Sequence, residues 1–374
     1  MSLNAYFPYA MSFGMSLLNG ILIPIIPLLA FGMGASQIEL GIIGSAAPLI
    51  NLPMSFVTGR MSDRFGRKPL IAASSLLYAM AYISYSASPS PLHLVGVKLL
   101  EGLATALLWP PVEALLADNA MVEGHALASN FGASWSLGTA LGALIASWVI
   151  GTGRYRDPLL PAATVSLVFS MATLAVISDK RAGPKSEAGR GIAERSSPSP
   201  LRYESVWLAA FLYAFCQGIV FALYPPFAKN MGVPTFVIGL AITSLMMGMT
   251  LVFILFRRIK ARFKMIAMTW SAVIGLAALP LSLSVEPWVI LPLALTFGLG
   301  LGLVYSASIM IALSVDGANR GKYAGLFEGS IGAGYLLGPL IGGSIAQVTL
   351  QGPYVICSAG ALVSLLSIIR SKIE

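Results

Sequence analysis

Runs of about 20 apolar residues, each closed by a cluster of Gly, Pro, Ser or charge, recur along this chain, and few folds accommodate them. A helix of that length is what a bilayer core of roughly 30 Å requires. Twelve such spans are expected, at about 6–31, 37–58, 69–88, 92–117, 126–150, 158–178, 206–228, 234–256, 265–284, 288–313, 323–348 and 352–370. Only 10% of the 374 residues are charged and 57% are hydrophobic. Soluble domains carry roughly a quarter charged residues, so a soluble fold is excluded. The alternation expected of barrel strands is absent, and the fold class is an all-α membrane protein of twelve transmembrane helices.

Charge placement gives the orientation. The chain carries 23 Lys and Arg and a formal net charge of +8. On the twelve-span reading, 19 of these cations fall on one side, only Arg154, Arg156 and Lys229 fall on the other, and Lys98 lies within a span. That is the positive-inside pattern and not the footprint of a nucleic-acid binder. It predicts a multi-pass protein of the cell membrane with both termini cytoplasmic. The N-terminus lacks a charged leader and a small-residue cleavage site, so its first apolar run is read as span 1. Cys216 and Cys357 both fall within spans, which speaks against a disulfide framework.

The chain also repeats. Asn19-Gly20 matches Gln217-Gly218, Pro27 matches Pro225, Gly34 matches Gly232 and Gly41 matches Gly239, each pair 198 residues apart. Gly102 and Gly298, Gly138 and Gly334, and Gly142 and Gly338 are each 196 apart. Two homologous halves follow, as an N-terminal six-helix bundle over 1–178 and a C-terminal one over 206–374. The polar stretch 179–205, with Arg195-Ser196-Ser197-Pro198, has too little apolar surface to order itself and is read as a cytoplasmic linker. An even number of spans per half makes the repeats parallel.

Between spans 2 and 3 lies Gly59-Arg60-Met61-Ser62-Asp63-Arg64-Phe65-Gly66-Arg67-Lys68-Pro69, a basic connection that cannot lie in hydrocarbon. Gly59 removes a side chain where span 2 would approach a neighbour, and Gly66 permits a positive φ in a tight turn. Asp63 can accept from backbone N–H groups or pair with Arg64 or Arg67. The pattern G-x-x-x-D-R-x-G-R-K in this place resembles the loop 2–3 signature of the major facilitator superfamily. With the twelve spans, the central linker and the six-plus-six repeat, the resemblance covers the whole chain. It implies two bundles around a central cavity that rock to expose it to each side in turn. It also implies a gate loop of Gly59, Asp63, Arg64, Gly66 and Arg67, with Asp63 latching near Tyr323 and Ala324. The plainer alternative is that the cations only anchor topology. The matching loop 8–9 keeps Arg257, Arg258, Lys260, Arg262 and Lys264 but lacks the Asp and the glycines.

Span 4 holds the most informative polar groups. Lys98, Glu101, Thr105, Trp109 and Glu113 follow steps of three or four and share one helical face. A bare charge at mid-membrane costs roughly 2.5–3.5 kcal/mol on insertion scales, so Lys98 and Glu101 persist by pairing or by facing water. Lys98-Leu99-Leu100-Glu101-Gly102 resembles the family's span 4 signature R-x-x-Q-G, whose basic residue is linked to proton coupling, with Lys for Arg and Glu for Gln. Glu101 and Lys98 are therefore the expected proton-coupling pair; the alternative is a permanently ionised structural pair. Glu113 is expected to pair with Arg64 or Arg67, and Glu328 with Arg320 or Lys322.

Pseudo-symmetry implied by the resemblance puts spans 1, 4, 7 and 10 around the cavity. The candidate substrate-binding residues are Asn19, Thr105, Trp109, Gln217, Tyr213 and Tyr305, with Tyr224 as a further wall and Met246, Met247 and Met249 as a pliable one. Ordinary packing is the competing explanation for each. The family's antiporter pattern G-x-x-x-G-P-x-x-G-G is incomplete in span 5, from Gly138 to Ser147. It is complete in span 11, from Gly334 to Gly343. Gly317 to Lys322 fails as a nucleotide loop, and His93 and His125 fall at opposite membrane faces. No cofactor, metal or nucleic-acid partner is expected, and the chain is read as a monomer in the lipid bilayer.

The expectation is a secondary transporter, not an enzyme, that exports small hydrophobic or amphipathic molecules with protons as coupling ion. The alternative is an importer or facilitator of a small organic anion or other metabolite, with Lys98 as counter-ion. An intramembrane lipid-handling enzyme, with Glu101 as acid–base group, lacks a nucleophile or metal cluster.

Overall fold

The computed structural model describes residues 3–118, 125–177, 204–256, 263–314 and 320–370. They form twelve helices: α1 Leu3–Gly32, α2 Gln37–Phe65, α3 Arg67–Ser86, α4 Pro91–Asp118, α5 His125–Gly151, α6 Leu159–Val176, α7 Glu204–Asn230, α8 Thr235–Phe256, α9 Phe263–Leu283, α10 Pro287–Ser314, α11 Arg320–Ala346 and α12 Gly352–Arg370. No strand occurs among the described residues. Ten of the helices are long and apolar enough to cross a membrane. Helix α3 falls short in hydropathy because its inner face carries Ser74, Ser75, Tyr78, Tyr82 and Tyr85, all buried, while Leu76, Met80 and Ile83 face outward. A membrane helix can hide polar groups inside and show hydrocarbon outside, the reverse of a soluble one. The linker 179–205 lies outside the described residues except for Glu204 and Ser205, which open α7.

Local chemistry sets the boundaries. Ser36 and Glu39 form a capping box at the start of α2: Ser36 N–H donates to Glu39 Oε2 (2.7 Å) and Glu39 N–H donates to Ser36 Oγ (3.3 Å). The turns before α2 and α8 are made by repeat-related glycines in the left-handed region, Gly34 (φ 84°) and Gly232 (φ 86°). The basic connection after span 2 is much shorter than expected. Helix α2 runs on through Gly59 to Phe65, α3 starts at Arg67, and the reversal rests on Gly66 alone (φ 90°).

The repeat is visible in the packing. Helix α1 packs on α5 as α7 packs on α11; α2 on α4 as α8 on α10; and α3 on α6 as α9 on α12. Gly138 and Gly142 of α5 lie on the backbone of Phe13 and Leu17, and Gly334 and Gly338 of α11 lie on Phe211 and Phe215. Gly102 meets Ala47 as Gly298 meets Leu245. Small residues let the backbones approach within hydrocarbon, where no water-driven force holds helices together.

The two repeats join along α2–α11 and α5–α8. The α5–α8 seam is closed along its length: Ser147 Oγ donates to Phe236 O (2.6 Å), Thr250 Oγ1 to Ser136 Oγ (2.9 Å), and Ser129 Oγ to Phe253 O. The α2–α11 seam is closed only from the start of α2 to about its middle. Gly41 and Gly44 sit against Pro339, Ser45 Oγ donates to Leu336 O (2.6 Å), and Leu52 reaches Gly332. Beyond that, towards the α2–α3 turn (here the basic end), a Cβ added at Gly59, Gly325 or Gly329 would meet no described atom within 4 Å. Gly59 therefore makes no close approach here, contrary to expectation. These close contacts on the seam thus lie on the side away from the basic end, from Gly41 to Leu52 of α2 and from Gly332 to Gly343 of α11.

Candidate functional site

Helix α4 carries its polar face into the first repeat. Lys98 Nζ pairs with Glu101 Oε1 at 2.8 Å, with side chains only 16% and 12% exposed. Tyr85 OH donates to the other oxygen, Oε2, at 2.6 Å. A second chain runs beside it with a fixed direction. Thr105 Oγ1 donates to the backbone oxygen of Glu101 (2.8 Å), so Tyr78 OH donates to Thr105 Oγ1 (2.7 Å), and Asn19 Nδ2 donates to Tyr78 OH (3.2 Å). Lys98, Glu101, Thr105 and Asn19 are thus brought together. The α3 tyrosines were not anticipated, although Tyr78, Tyr82 and Tyr85, spaced four and three apart, mark one helical face.

Gln217, the repeat partner of Asn19, sits elsewhere. It is 1% exposed, accepts from Tyr335 OH, and points its amide nitrogen at Met249 Sδ (3.4 Å) and Met246 Sδ (3.8 Å). Tyr213 is equally buried, with its hydroxyl 3.4 Å from that of Tyr335. In this conformation Gln217, Tyr213, Tyr224, Met246 and Met249 are core and not cavity wall.

Tyr305 is the hub of an aromatic cluster that crosses the repeats. Its ring lies 5.4 Å from Tyr213, 5.6 Å from Phe253, 5.7 Å from Phe327 and 6.1 Å from Trp135. Trp109 meets Phe131 edge-on at 5.9 Å. Trp109, Trp135 and Tyr305 are half-buried and offer flat apolar surface between the repeats. Trp135 was missed because nothing in its own span distinguishes it from core.

The acidic residues of the basic half differ from expectation. Glu113 forms no ion pair with Arg64 or Arg67; it is exposed, and among the described residues a charge that bears on it is that of Glu328 of α11, also exposed. The side chains of Arg320 and Lys322 lie outside the described residues, as do those of Tyr323 and Ala324 and the basic loop 257–262. Asp63 is exposed and makes no ion pair or hydrogen bond among the described residues, and Arg64 stacks over Phe65 (5.3 Å). Cys216 and Cys357 are free, buried thiols that touch each other between α7 and α12. Among the described residues no group of His, Cys, Asp or Glu is arranged to hold a metal.

Residues 8–315 match the sequence model of the Major Facilitator Superfamily. The chain belongs to that family. It is accordingly a multi-pass membrane transporter of small molecules and not an enzyme, with two parallel six-helix repeats. It is similar to the quinolone resistance protein NorA of Staphylococcus aureus (20% identical, 94% of this chain and 92% of the relative). It is also similar to multidrug resistance protein 1 of Bacillus subtilis (22% identical, 90% and 87%). Its fold matches a crystal structure of a mutant of the nucleoside transporter NupG, with a TM-score of 0.76 at 15% identity over 99% of this chain and 100% of that one.

Proposed function

We propose that this transporter is a proton-coupled exporter of small hydrophobic or amphipathic molecules. The observation that carries the reading is the Lys98–Glu101 pair at 2.8 Å, a titratable carboxylate and its counter-ion held inside a membrane helix. An intramembrane ionisable pair is expensive to bury, and transporters use such groups as proton relays. The half-buried Trp109, Trp135 and Tyr305 supply flat apolar walls suited to amphipathic cargo. The relatives named for quinolone and multidrug resistance support the direction of transport.

In this reading the basic end is cytoplasmic, with both termini there, and the conformation is open to the cytoplasm. A proton reaching Glu101 neutralises the carboxylate and ends its attraction to Lys98. The freed ammonium then favours a rearrangement of α4 against α1 and α3, which the rocking of the repeats relieves. The exposure of Asp63 supports a latch that engages α11 only when the basic end is closed, with Gly59, Arg64, Gly66 and Arg67 shaping the loop around it. Asn19, Thr105, Trp109 and Tyr305 are the residues proposed to meet cargo here, while Gln217 and Tyr213 would do so only after a change of conformation. The same helix pairings within α1–α6 and within α7–α12 support the division at 1–178 and 206–374, and the protein acts as a monomer.

An importer of organic anions is less well supported, because Lys98 already has its carboxylate partner and is not free as a counter-ion. The test is transport in proteoliposomes with an imposed pH gradient, using ethidium and a panel of amphipathic dyes, for the wild type and Glu101→Gln. The wild type is expected to accumulate dye only with the gradient, and the variant to lose that accumulation. Wild-type accumulation by Glu101→Gln sinks proton carriage by this residue.

A further inference from the structure

Helix α3 packs on α2, α4 and α6 and lies behind the helices that meet between the repeats. It nevertheless sends one hydroxyl to the proposed coupling carboxylate. We propose that Tyr85 is a positioning residue for Glu101, and that its hydrogen bond sets the pH at which the transporter takes up its proton. The proposal rests on the reading of Glu101 as proton carrier.

Both carboxylate oxygens of Glu101 are engaged, Oε1 by the Lys98 ammonium at 2.8 Å and Oε2 by Tyr85 OH at 2.6 Å. The second contact has the length of a charge-assisted O–H···O⁻ bond. Tyr85 is 0% exposed, so its hydroxyl has no water to turn to, and its ring is held by packing on every side. A donor fixed in this way stabilises the ionised carboxylate and holds it in the rotamer that meets Lys98, which lies 6.0 Å over the same ring. Lys98 and Tyr85 therefore form a single cradle from two helices, and a proton that binds either oxygen weakens both interactions by removing the charge they stabilise.

Few other groups bear on that carboxylate. From α3, Tyr78 and Tyr82 lie within its electrostatic reach. From α1, which has no charged side chain, Asn19 joins only through Tyr78. Helix α2 meets α4 where Ala47 backs Gly102, and it carries no titratable side chain between Glu39 and Arg60. Helix α6, behind α3, carries no titratable side chain at all. The direct polar partners of the Glu101 side chain are Lys98 and Tyr85.

The same helix provides an internal control. Tyr82, one turn before Tyr85, is also 0% exposed, but its hydroxyl has no hydrogen-bond partner. Removing the oxygen of Tyr82 and that of Tyr85 changes burial by the same amount, and only one of the two removes a bond to Glu101. A merely structural tyrosine at 85 would make the two variants alike.

The experiment is an infrared titration of the purified full-length protein in lipid, following the protonated-carboxyl band that Glu101→Gln abolishes. The readout needs no transported ligand. Loss of one hydrogen bond to a charged group corresponds to about one to two pH units in proton affinity. Tyr85→Phe is expected to move the midpoint of that band upward by this amount, and Tyr82→Phe to leave it in place. Should Tyr85→Phe fail to fold, biosynthetic 3-fluorotyrosine in the Tyr82→Phe protein gives the opposite displacement without a change in packing. Its more acidic phenol donates more strongly, so the midpoint moves down. An unmoved midpoint in Tyr85→Phe or in the fluorinated protein overturns the proposal, as does an equal shift in Tyr82→Phe. If no Glu101 band titrates in the wild type, the reading of Glu101 as proton carrier fails first and takes this one with it.

Discussion

Lys229, the last cation of α7, donates from Nζ to the hydroxyl of Tyr155 at 3.0 Å and lies 5.3 Å over the same ring. Tyr155 belongs to the α5–α6 connection, so this contact ties the second repeat to the first at the far end of the molecule. It joins Trp148 against Phe236 (5.4 Å) and Ser147 against the Phe236 carbonyl (2.6 Å) on the same closed edge. The other two cations of that end serve the first repeat. Arg156 donates to the carbonyls of Ser86 (2.9 Å) and Ser88 (2.6 Å) at the end of α3, and Arg154 pairs with Asp157 (2.9 Å).

Alternating access requires the Lys229–Tyr155 contact to break whenever the far end opens. Lys229→Met is expected to weaken the closed edge by about 1 kcal/mol, in line with a partly exposed cation–π and hydrogen-bond contact. That is roughly a fivefold shift in population towards the far-end-open form. Spin-label distances between the α5–α6 and α7–α8 connections would show it as growth of a longer component. An unchanged distance distribution would leave the contact without a gating role.

Gln217 should matter for stability before it matters for cargo. Its amide is enclosed by Tyr335, Met246 and Met249, and Gln217→Leu leaves the half-buried Tyr335 hydroxyl with only the long 3.4 Å contact to the Tyr213 hydroxyl as acceptor. The expected cost is about 1–3 kcal/mol, read as a lower unfolding temperature in detergent. Dye affinity should stay near that of the wild type. A variant of normal stability with lost affinity would place Gln217 in the cargo site after all.

The α1–α5 contact depends on hydrogen at Gly142, whose missing side chain would run into the backbone of Leu17. Gly142→Val is expected to destabilise the protein by about 1–3 kcal/mol or more, because backbone cannot give way as a side chain can. Gly96→Ala of α4, with no described atom within 4 Å, is the matched control and should be neutral. Thermal unfolding of both variants checks this, and equal stability would mean that α1 and α5 are looser than they stand here.

Much of the architecture was legible in the order of residues alone. The helices fall where the apolar runs lie, because a segment of that hydropathy and length has one way to satisfy its backbone in lipid. The repeat was legible from glycines, because each marks a place where one backbone lies on another; Gly102 on Ala47 and Gly298 on Leu245 keep both sequence offsets. Lys98 and Glu101 were legible as a pair, since i and i+3 are neighbours on any helix. The α2–α3 connection was misjudged in length because charge marks the membrane surface and not the end of a helix. Arg60 to Phe65 remain helical beyond the apolar run.

What the sequence by itself determined is therefore the number and approximate place of the spans, their repeat and the charged pair inside span 4. These follow from hydropathy, from local spacing and from where backbones must touch. Only the tertiary structure decided which face of each span looks inward, because in a membrane both faces are apolar enough to pass for either. That choice buried Gln217, exposed Glu113 to Glu328, and brought Tyr85 and Tyr78 of α3 to Glu101 and Thr105 of α4. Contacts such as Lys229 with Tyr155, 74 residues apart, follow from how the two repeats lean together, and no local rule of spacing contains that angle.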